Sequence, residues 1–471
     1  MKKALALLLV LIMTVSLAAC SSSSNSESSA APSSDASEGA DVSSDTSSGE
    51  EEMVIRITDE LKPDGEAPND VTRFKKGLEE AGFFEEHPNV KFEGGFVAEP
   101  ADFNQKMITM ALSGSQEYDV VWVSAADVGV LANGGVLLNL DDYYANETRF
   151  DIQDNETWIT DAANNFIYYK DSAYAFPYQT DCRIAFYYRP ICEKAGYTSE
   201  NYPKTTEEFV KFCQDVSAAG YNPFAIMNGA DWTIVYEWAL PYYGDGGTFE
   251  RFDEDSQKWV ANLDNDAARD WIENVRAICQ TIPGDYVTTC GDEEASKLAA
   301  EGGAACHWTG TWFWERWINM DEEMTSQYDA ALIPAGSQKS ASSMGGGMVG
   351  INKQISKEKQ DMVWEMFAAL ATNPEANAVA TAGGMPFLRG AYEYSKWAQY
   401  DWSKKGWALF EEQLGTAQPV CTPPCEAGAN IYSSMYTVWQ EVTLDDTYSV
   451  DEAVTMLNDS VQSALDSFYG Y

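Results

Sequence analysis

The run Tyr118-Asp-Val-Val-Trp-Val123 narrows the fold more than any other stretch of the chain. A short, nearly unbroken apolar segment of this length reads as a strand buried on both faces, which is how strands of a helix-covered parallel sheet look. Its flanks carry the other period. Upstream, Phe103, Met107, Met110 and Ala111 fall on one helical face, and Gly114 ends that helix. Downstream, Ala126 to Asn133 forms a short helix stopped by Gly134-Gly135. Before them, Val54-Ile55-Arg56-Ile57 suits a buried first strand, Asn69 to Glu86 is helical, and Val90 to Val97 suits a second strand. Strands alternating with helices indicate an α/β fold with mainly parallel sheets.

The same grammar continues. Thr205-Thr-Glu-Glu208 is a capping box that opens a helix with Phe209, Phe212, Cys213 and Val216 on its apolar face. Asp266 caps a helix carrying Trp271, Val275 and Ile278, and Ser356 caps one carrying Val363, Met366, Phe367 and Leu370. Ser449-Val-Asp-Glu452 is a second box, opening a C-terminal helix with Val454, Leu457, Val461 and Leu465. From Met53 onward there are roughly 420 residues, more than one core usually serves, so two lobes are expected.

The N-terminus sets the compartment. Lys2 and Lys3 precede an apolar stretch, Ala4 to Leu17, too short for an ordinary membrane span. It ends in Leu17-Ala-Ala-Cys20, which resembles a bacterial lipobox. The resemblance implies a signal peptide over residues 1–19 and a lipid on the Cys20 sulfur, with two or three acyl chains as anchor. Residues 20–52 continue as a Ser, Ala, Gly, Asp and Glu tract without an aromatic residue, unable to offset the entropy of ordering. As a coil it spans roughly 30 Å. A net charge of -44 argues against nucleic acid or an anionic surface as partner and favours a neutral ligand over an anionic one. Eight cysteines remain besides Cys20, an even number that permits disulfides in an exported chain. Cys279/Cys290 and Cys421/Cys425 are the nearest pairs in sequence, and connectivity stays open. Two histidines, His87 and His307, and no Cys-x-x-Cys spacing speak against a metal site or other cofactor.

Several motifs, in order, resemble family 1 extracellular solute-binding proteins, the sugar-binding group that includes maltose-binding proteins. They are Gln105 to Tyr144, with its Asp-Val-Val strand, Gly-Gly helix end and Leu-x-x-Leu-Asp-Asp segment; Tyr174 to Gly196; Tyr202-Pro-Lys-Thr-Thr-Glu-Glu-Phe209; and Gly303-Ala-Ala-Cys-His-Trp-Thr-Gly-Thr-Trp312. Leu332 to Gly336, Gly345-Gly-Gly and Gly383-Gly-Met-Pro386 follow. The turn Tyr187-Tyr-Arg-Pro190 departs from the family's usual Tyr-Tyr-Asn-Lys. The resemblance implies a periplasmic-binding-protein type II fold, with a ligand cleft between two lobes joined by hinge crossovers. It divides the chain into a first lobe at 53–180 and 329–373 and a second at 181–328 and 374–471. It further implies a monomeric receptor on the outer face of the cytoplasmic membrane, docking on two permease subunits served by a cytoplasmic ATPase. Closure about the hinge accompanies capture.

A sugar offers apolar ring faces and a rim of hydroxyls, so its site needs flat aromatics beside carboxylates and amides. Loops at the carboxyl ends of strands are the place to look. Trp308 and Trp312, in the Gly-x-Trp segment, either stack on a sugar or pack the core. Asp231 and Trp232 follow the strand Phe224 to Met227. Gln179 and Asp181 flank the first crossover, Asp181 as a hydroxyl acceptor or as half of a hinge ion pair. Asp59 and Glu60 follow the first strand, and Asp127 follows the Asp-Val-Val strand. Gly346 lets backbone approach a ligand. Arg389, Tyr436 and Trp439 are further candidates for the lining. A polyamine is the alternative ligand, since it too wants carboxylates beside aromatics. A glycosidase would need a marked carboxylate pair, and no nucleophile elbow, zinc-protease or nucleotide-loop motif occurs either. A carbohydrate-binding module would be a shorter all-β domain. The chain reads as a binding protein rather than an enzyme.

Overall fold

A computed structural model describes residues 52–59, 70–97, 100–284, 286–313, 322–382, 384–394, 401–419, 427–444 and 447–471. The expectations for the signal peptide, Cys20, the linker, Glu60, Cys421 and Cys425 concern residues outside this set. No helix among the described residues is long and apolar enough to cross a membrane.

Eleven strands build two sheets. In chain order they are β1 (Met53–Asp59), β2 (Val90–Phe96), β3 (Val120–Ser124), β4 (Phe176–Cys182), β5 (Ile184–Tyr188), β6 (Asn222–Ala225), β7 (Ala304–Thr309), β8 (Tyr328–Ala331), β9 (Ser343–Ile351), β10 (Met385–Pro386) and β11 (Gln418–Pro419). The larger sheet runs β10-β4-β9-β3-β1-β2, with β11 alongside β9; the smaller runs β8-β5-β7-β6. β1 pairs in parallel with β2 and β3, as the alternation predicts. The sheets are mixed, however, rather than mainly parallel. β9 is antiparallel to β3 and β4, and β5 is antiparallel to β7 and β8. These are the strands by which the chain leaves or re-enters a lobe, and a chain that crosses from one sheet to the other and back must reverse direction.

Two buried clusters make the core, the first of which also takes in one face of the second sheet through Ile184, Phe186, Ala225, Ala304 and Tyr328. In the first, Phe74 of the helix Asp70–Glu80 packs against Phe92 at 5.5 Å, Tyr178 at 5.7 Å and Phe367 at 6.4 Å between ring centres. In the second, Trp271 of the helix Asp266–Cys279 lies between Tyr242 and Trp439, at 5.2 Å from each. The cap signals hold with two changes. Ser356 and Ser449 cap their helices, the latter in a full box with Glu452. Thr205 accepts from Glu208 N, but Glu208 reaches back to Lys204 N rather than to Thr205 N. Asn265, not Asp266, caps the next helix, its Oδ1 accepting from Ala268 N.

The lobe boundaries shift from those expected. The first passage is at Cys182 to Ile184, between β4 and β5. β8 pairs with β5 in the second sheet, so the return comes between Ala331 and Ser343, not at 329. The helix Pro374–Ala380 packs on Asp70–Glu80 in the first lobe. Asn373, whose side chain caps that helix, therefore marks a turn within a lobe and not a crossing. The described chain meets the second sheet again at the helix Asp401–Leu414, which packs on β8 and β5 as well as on β4, and from Ala427 the helices Gly428–Leu444 and Val450–Tyr469 complete the second core. A four-residue strand carries too little pattern to say which sheet it joins, and the Asn-Pro cap signature is the same at either kind of turn.

Cys182, Cys192, Cys213, Cys279, Cys290 and Cys306 are buried free thiols, so Cys279 and Cys290 form no pair. Trp439, expected as a cleft candidate, belongs to the second core: it is fully buried and its Nε1 donates to Asn228 Oδ1 at 2.9 Å. Trp439→Ala is expected to lower the unfolding free energy by about 3–5 kcal/mol, read from urea denaturation.

Candidate functional site

The first passage brings the two sheets within reach of one side chain. Arg183 lies between β4 and β5 and is 4 % exposed. Its Nη1 donates to Asp181 Oδ1 at 2.5 Å and its Nε to Glu237 Oε1 at 3.0 Å. The guanidinium is covered by two aromatic rings, Tyr236 and Trp312, each 4.7 Å away. Its backbone N–H donates to Ser342 Oγ at 2.7 Å, tying the outgoing crossover to the returning one. Burial disfavours the Arg183 charge, but Glu237 and then Asp181 outweigh it, and the group is held protonated. At Asp181 burial prevails over the guanidinium and lifts the carboxyl above its usual range. Asp181 is thus half of the hinge ion pair weighed above, with its side chain 19 % exposed.

Tyr236 and Glu237 come from a π-helical turn, Ile234–Trp238, closed by Ala239 N–H donating to Ile234 O at 2.8 Å. Opposite them runs β9, stripped of side chains at Gly345-Gly346-Gly347. A Cβ on Gly345 would meet the Tyr236 ring at 2.8 Å, and one on Gly347 would meet the Trp122 ring at 2.8 Å. Gly346 has φ +136°, and a Cβ there would strike Gln179 O at 2.2 Å. The glycines let rings from both lobes lie on the strand backbone. Gln179 points its amide toward Gly384, and its Oε1 is buried without a hydrogen-bond partner.

Across the opening stand two further carboxylates. Asp127 ends the turn Ala125–Asp127 after β3; the second lobe's helix Gly428–Leu444 comes against that turn. On the same helix, the Ser433 hydroxyl donates to Asp231 Oδ2, and Trp232 N–H donates to Asp231 Oδ1 at 2.8 Å. Trp232 packs edge-on to Tyr236 at 6.1 Å, and Tyr436 anchors its hydroxyl on Asn228 O. The Asp127 carboxyl is pushed up to about 6, by burial first and by the charge of Asp231, against a hydrogen bond from the Asn104 side chain that lowers it.

Other expectations fall elsewhere. Trp308 is 3 % exposed and packs against Phe209 at 4.7 Å and Phe224 at 4.8 Å, so it is a core aromatic. Every residue of β7 is buried, Trp308 included, while Trp312, past the strand end, is half-buried against Arg183. Arg389 is exposed on the first lobe, its Nε donating to the carbonyls of Asn155 and Trp158, apart from the cluster just described. Asp59 closes β1, in the same sheet as β3. Sequence reasoning missed Asn104, Trp122 and Arg183 and ranked Tyr236 and Glu237 low or not at all. Trp122 alone left a trace: in β3 it alternates with Val121 and Val123, on the side of Ser124. Among the described residues no group of three or more His, Cys, Asp or Glu is placed to hold a metal.

Two outcomes follow from the charges. Arg183→Met should lower the unfolding free energy by about 3–5 kcal/mol, because Glu237 is then a buried carboxylate without its counter-charge. Asp127→Asn should act in the opposite direction. The folded carboxyl titrates above its usual 3.8. Its native state is therefore favoured below pH 4, and the cost grows as pH rises to about 6. The Asn variant should gain about 2 kcal/mol at pH 7.5, a gain that closes toward pH 4 in paired thermal melts.

Among known structures, the chain resembles the GacH receptor of Streptomyces glaucescens GLA.O, solved unliganded and with acarbose. The identity is 18 %, with 88 % of this chain and 99 % of that one covered at a TM-score of 0.69. It also resembles maltose-bound MalE3 of T. maritima (20 %, 88 % and 100 % covered, TM-score 0.68). A third is the sugar-binding protein MalE from Xanthomonas citri (18 %, 89 % and 98 % covered, TM-score 0.69). At these identities the likeness shows the fold, the two-lobed arrangement of MalE-like binding proteins. No curated protein sequence matches. The family model for bacterial extracellular solute-binding proteins matches residues 67–378. These are binding proteins rather than enzymes, and the chain belongs to the bacterial extracellular solute-binding family.

Proposed function

We propose that the chain is the receptor of an ABC-type importer, capturing a sugar or oligosaccharide between its lobes and handing it to two permease subunits served by a cytoplasmic ATPase. The observation that carries this reading is the lining just described. Half-buried aromatic rings, Trp122, Trp232, Tyr236, Trp312 and Tyr436, converge from both lobes beside the carboxylates of Asp127, Asp181 and Asp231. Rings supply the apolar faces a pyranose stacks on, and carboxylates accept from its hydroxyls. The Gln179 amide, the bare backbone at Gly346 and Asp59 at the end of β1 complete the proposed contacts. Trp308, Trp439 and Arg389 are not among them. The solved relatives named above are described with maltose, with acarbose or as sugar-binding, which supports the same class of solute.

Closure of the lobes about the crossovers at Cys182–Ile184 and Ala331–Ser343 would enclose the solute and offer both lobes to the permease. A lipid on Cys20, with the tract over 20–52 as tether, would hold a monomeric receptor at the outer face of the cytoplasmic membrane.

Thermal unfolding of the purified protein against mono- and oligosaccharides, with putrescine and spermidine alongside, tests the reading. A solute present at about 100 times its dissociation constant stabilises the native state by about 2.7 kcal/mol. A shift confined to one saccharide class is the expected result. A shift from polyamines with none from any sugar overturns the sugar assignment and leaves the importer role.

A further inference from the structure

The cleft holds unmet acceptors beside one unmet donor, Trp122 Nε1. Asp127 Oδ1 and Asn104 Oδ1 are buried with no hydrogen-bond partner among the described residues. Asp231 faces Asp127 closely enough to act on its charge, and both border the helix Gly428–Leu444, one through Ser433 and one through the turn Ala125–Asp127. Among the described residues, the cation at this junction is Arg183, already committed to Asp181 and Glu237. Counting those three groups as one surplus negative charge, the junction holds two or three carboxylate charges with no further cation placed beside them among the described residues. A neutral sugar donates hydrogen bonds but leaves that charge in place. A ligand ammonium is donor-only and cationic, and satisfies both deficits at once.

We propose that the solute is an amine-bearing saccharide whose ammonium sits between Asp127 and Asp231, with Asn104 Oδ1 as a further acceptor. This rests on the sugar-receptor reading and sharpens it. The aromatic rings hold the sugar faces, and the two carboxylates, one from each lobe, select the amine. Because the amine meets a carboxylate of each lobe, it also draws the lobes together: it replaces a repulsion across the opening with two attractions.

The experiment is a calorimetric titration of the full chain with glucosamine and its β-1,4 oligomers. Each is paired with the glucose and N-acetylglucosamine compound of the same length, and putrescine is run in parallel. The expected result is that an amine-bearing sugar binds at least about tenfold more tightly than both neutral counterparts. That preference should fall to about threefold or less in Asp127→Asn and in Asp231→Asn. Neutral counterparts binding as tightly as the amine overturn the inference and leave the sugar receptor standing. Putrescine binding without any saccharide overturns both. A series in which no amine-bearing sugar binds overturns the inference, as does an amine preference that survives in both Asn variants.

Discussion

Arg183 stands where the chain leaves the first sheet for the second, and its guanidinium reaches a carboxylate on either side of that passage: Asp181 at the end of β4 and Glu237 in the second lobe. Burying such a group is expensive unless its hydrogen bonds and charge are met, and removal of one partner leaves the others stranded. Most of the site's geometry follows from meeting that demand. The π-helical turn Ile234–Trp238 places a ring and a carboxylate, at adjacent positions, on the same guanidinium. Trp312 closes the other face. Ser342 fixes the backbone, so the two crossovers move together. The ion pair thus does less for stability than for registration: it sets where the aromatic walls of one lobe stand relative to β9 of the other.

The fold was largely legible because its signals are local. The buried apolar runs of β1 and β3, and the Ser356 and Ser449 caps, each act within a few residues of where they are written. What escaped was relational. Nothing in Tyr328-Asp-Ala-Ala331 says whether it pairs with β5 or with a strand of the other sheet, since both offer an apolar face. The expectation that both Trp308 and Trp312 were candidates divided cleanly for the same reason. Trp308 lies within β7, a strand buried on both faces, whereas Trp312 lies beyond the strand, against Arg183. Arg183 itself was invisible as a hub. An arginine two residues from an aspartate is common, and its second partner lies 54 positions away.

The glycine run on β9 joins the site to the fold in another way. Gly345 and Gly347 receive the Tyr236 and Trp122 rings, which come from different lobes. Rings laid on bare backbone are held in place without side-chain neighbours that would need to rearrange. A flat surface is thereby fixed in advance at the cleft floor, and less ordering is left for the moment of binding. The φ of +136° at Gly346, against Gln179 O, confines that position to glycine. The small-residue run is therefore a steric requirement of the rings and of the strand bulge, where the pairing shifts between Gly347 and Met348.

Polar atoms left without partners at the same place complete the division of labour. Trp122 Nε1, Asp127 Oδ1 and Gln179 Oε1 are buried and unpaired among the described residues. Each such group costs about 1–3 kcal/mol while unmet. The stacking rings accept any sugar of suitable breadth, so they contribute affinity with little discrimination. The unmet polar atoms discriminate, because a solute that fails to supply their partners leaves the cost in place. A receptor arranged in this way reads its ligand at the polar rim and holds it by its faces. The carboxylates on opposite lobes make the reading depend on closure, since only a closed cleft brings both to the same atom.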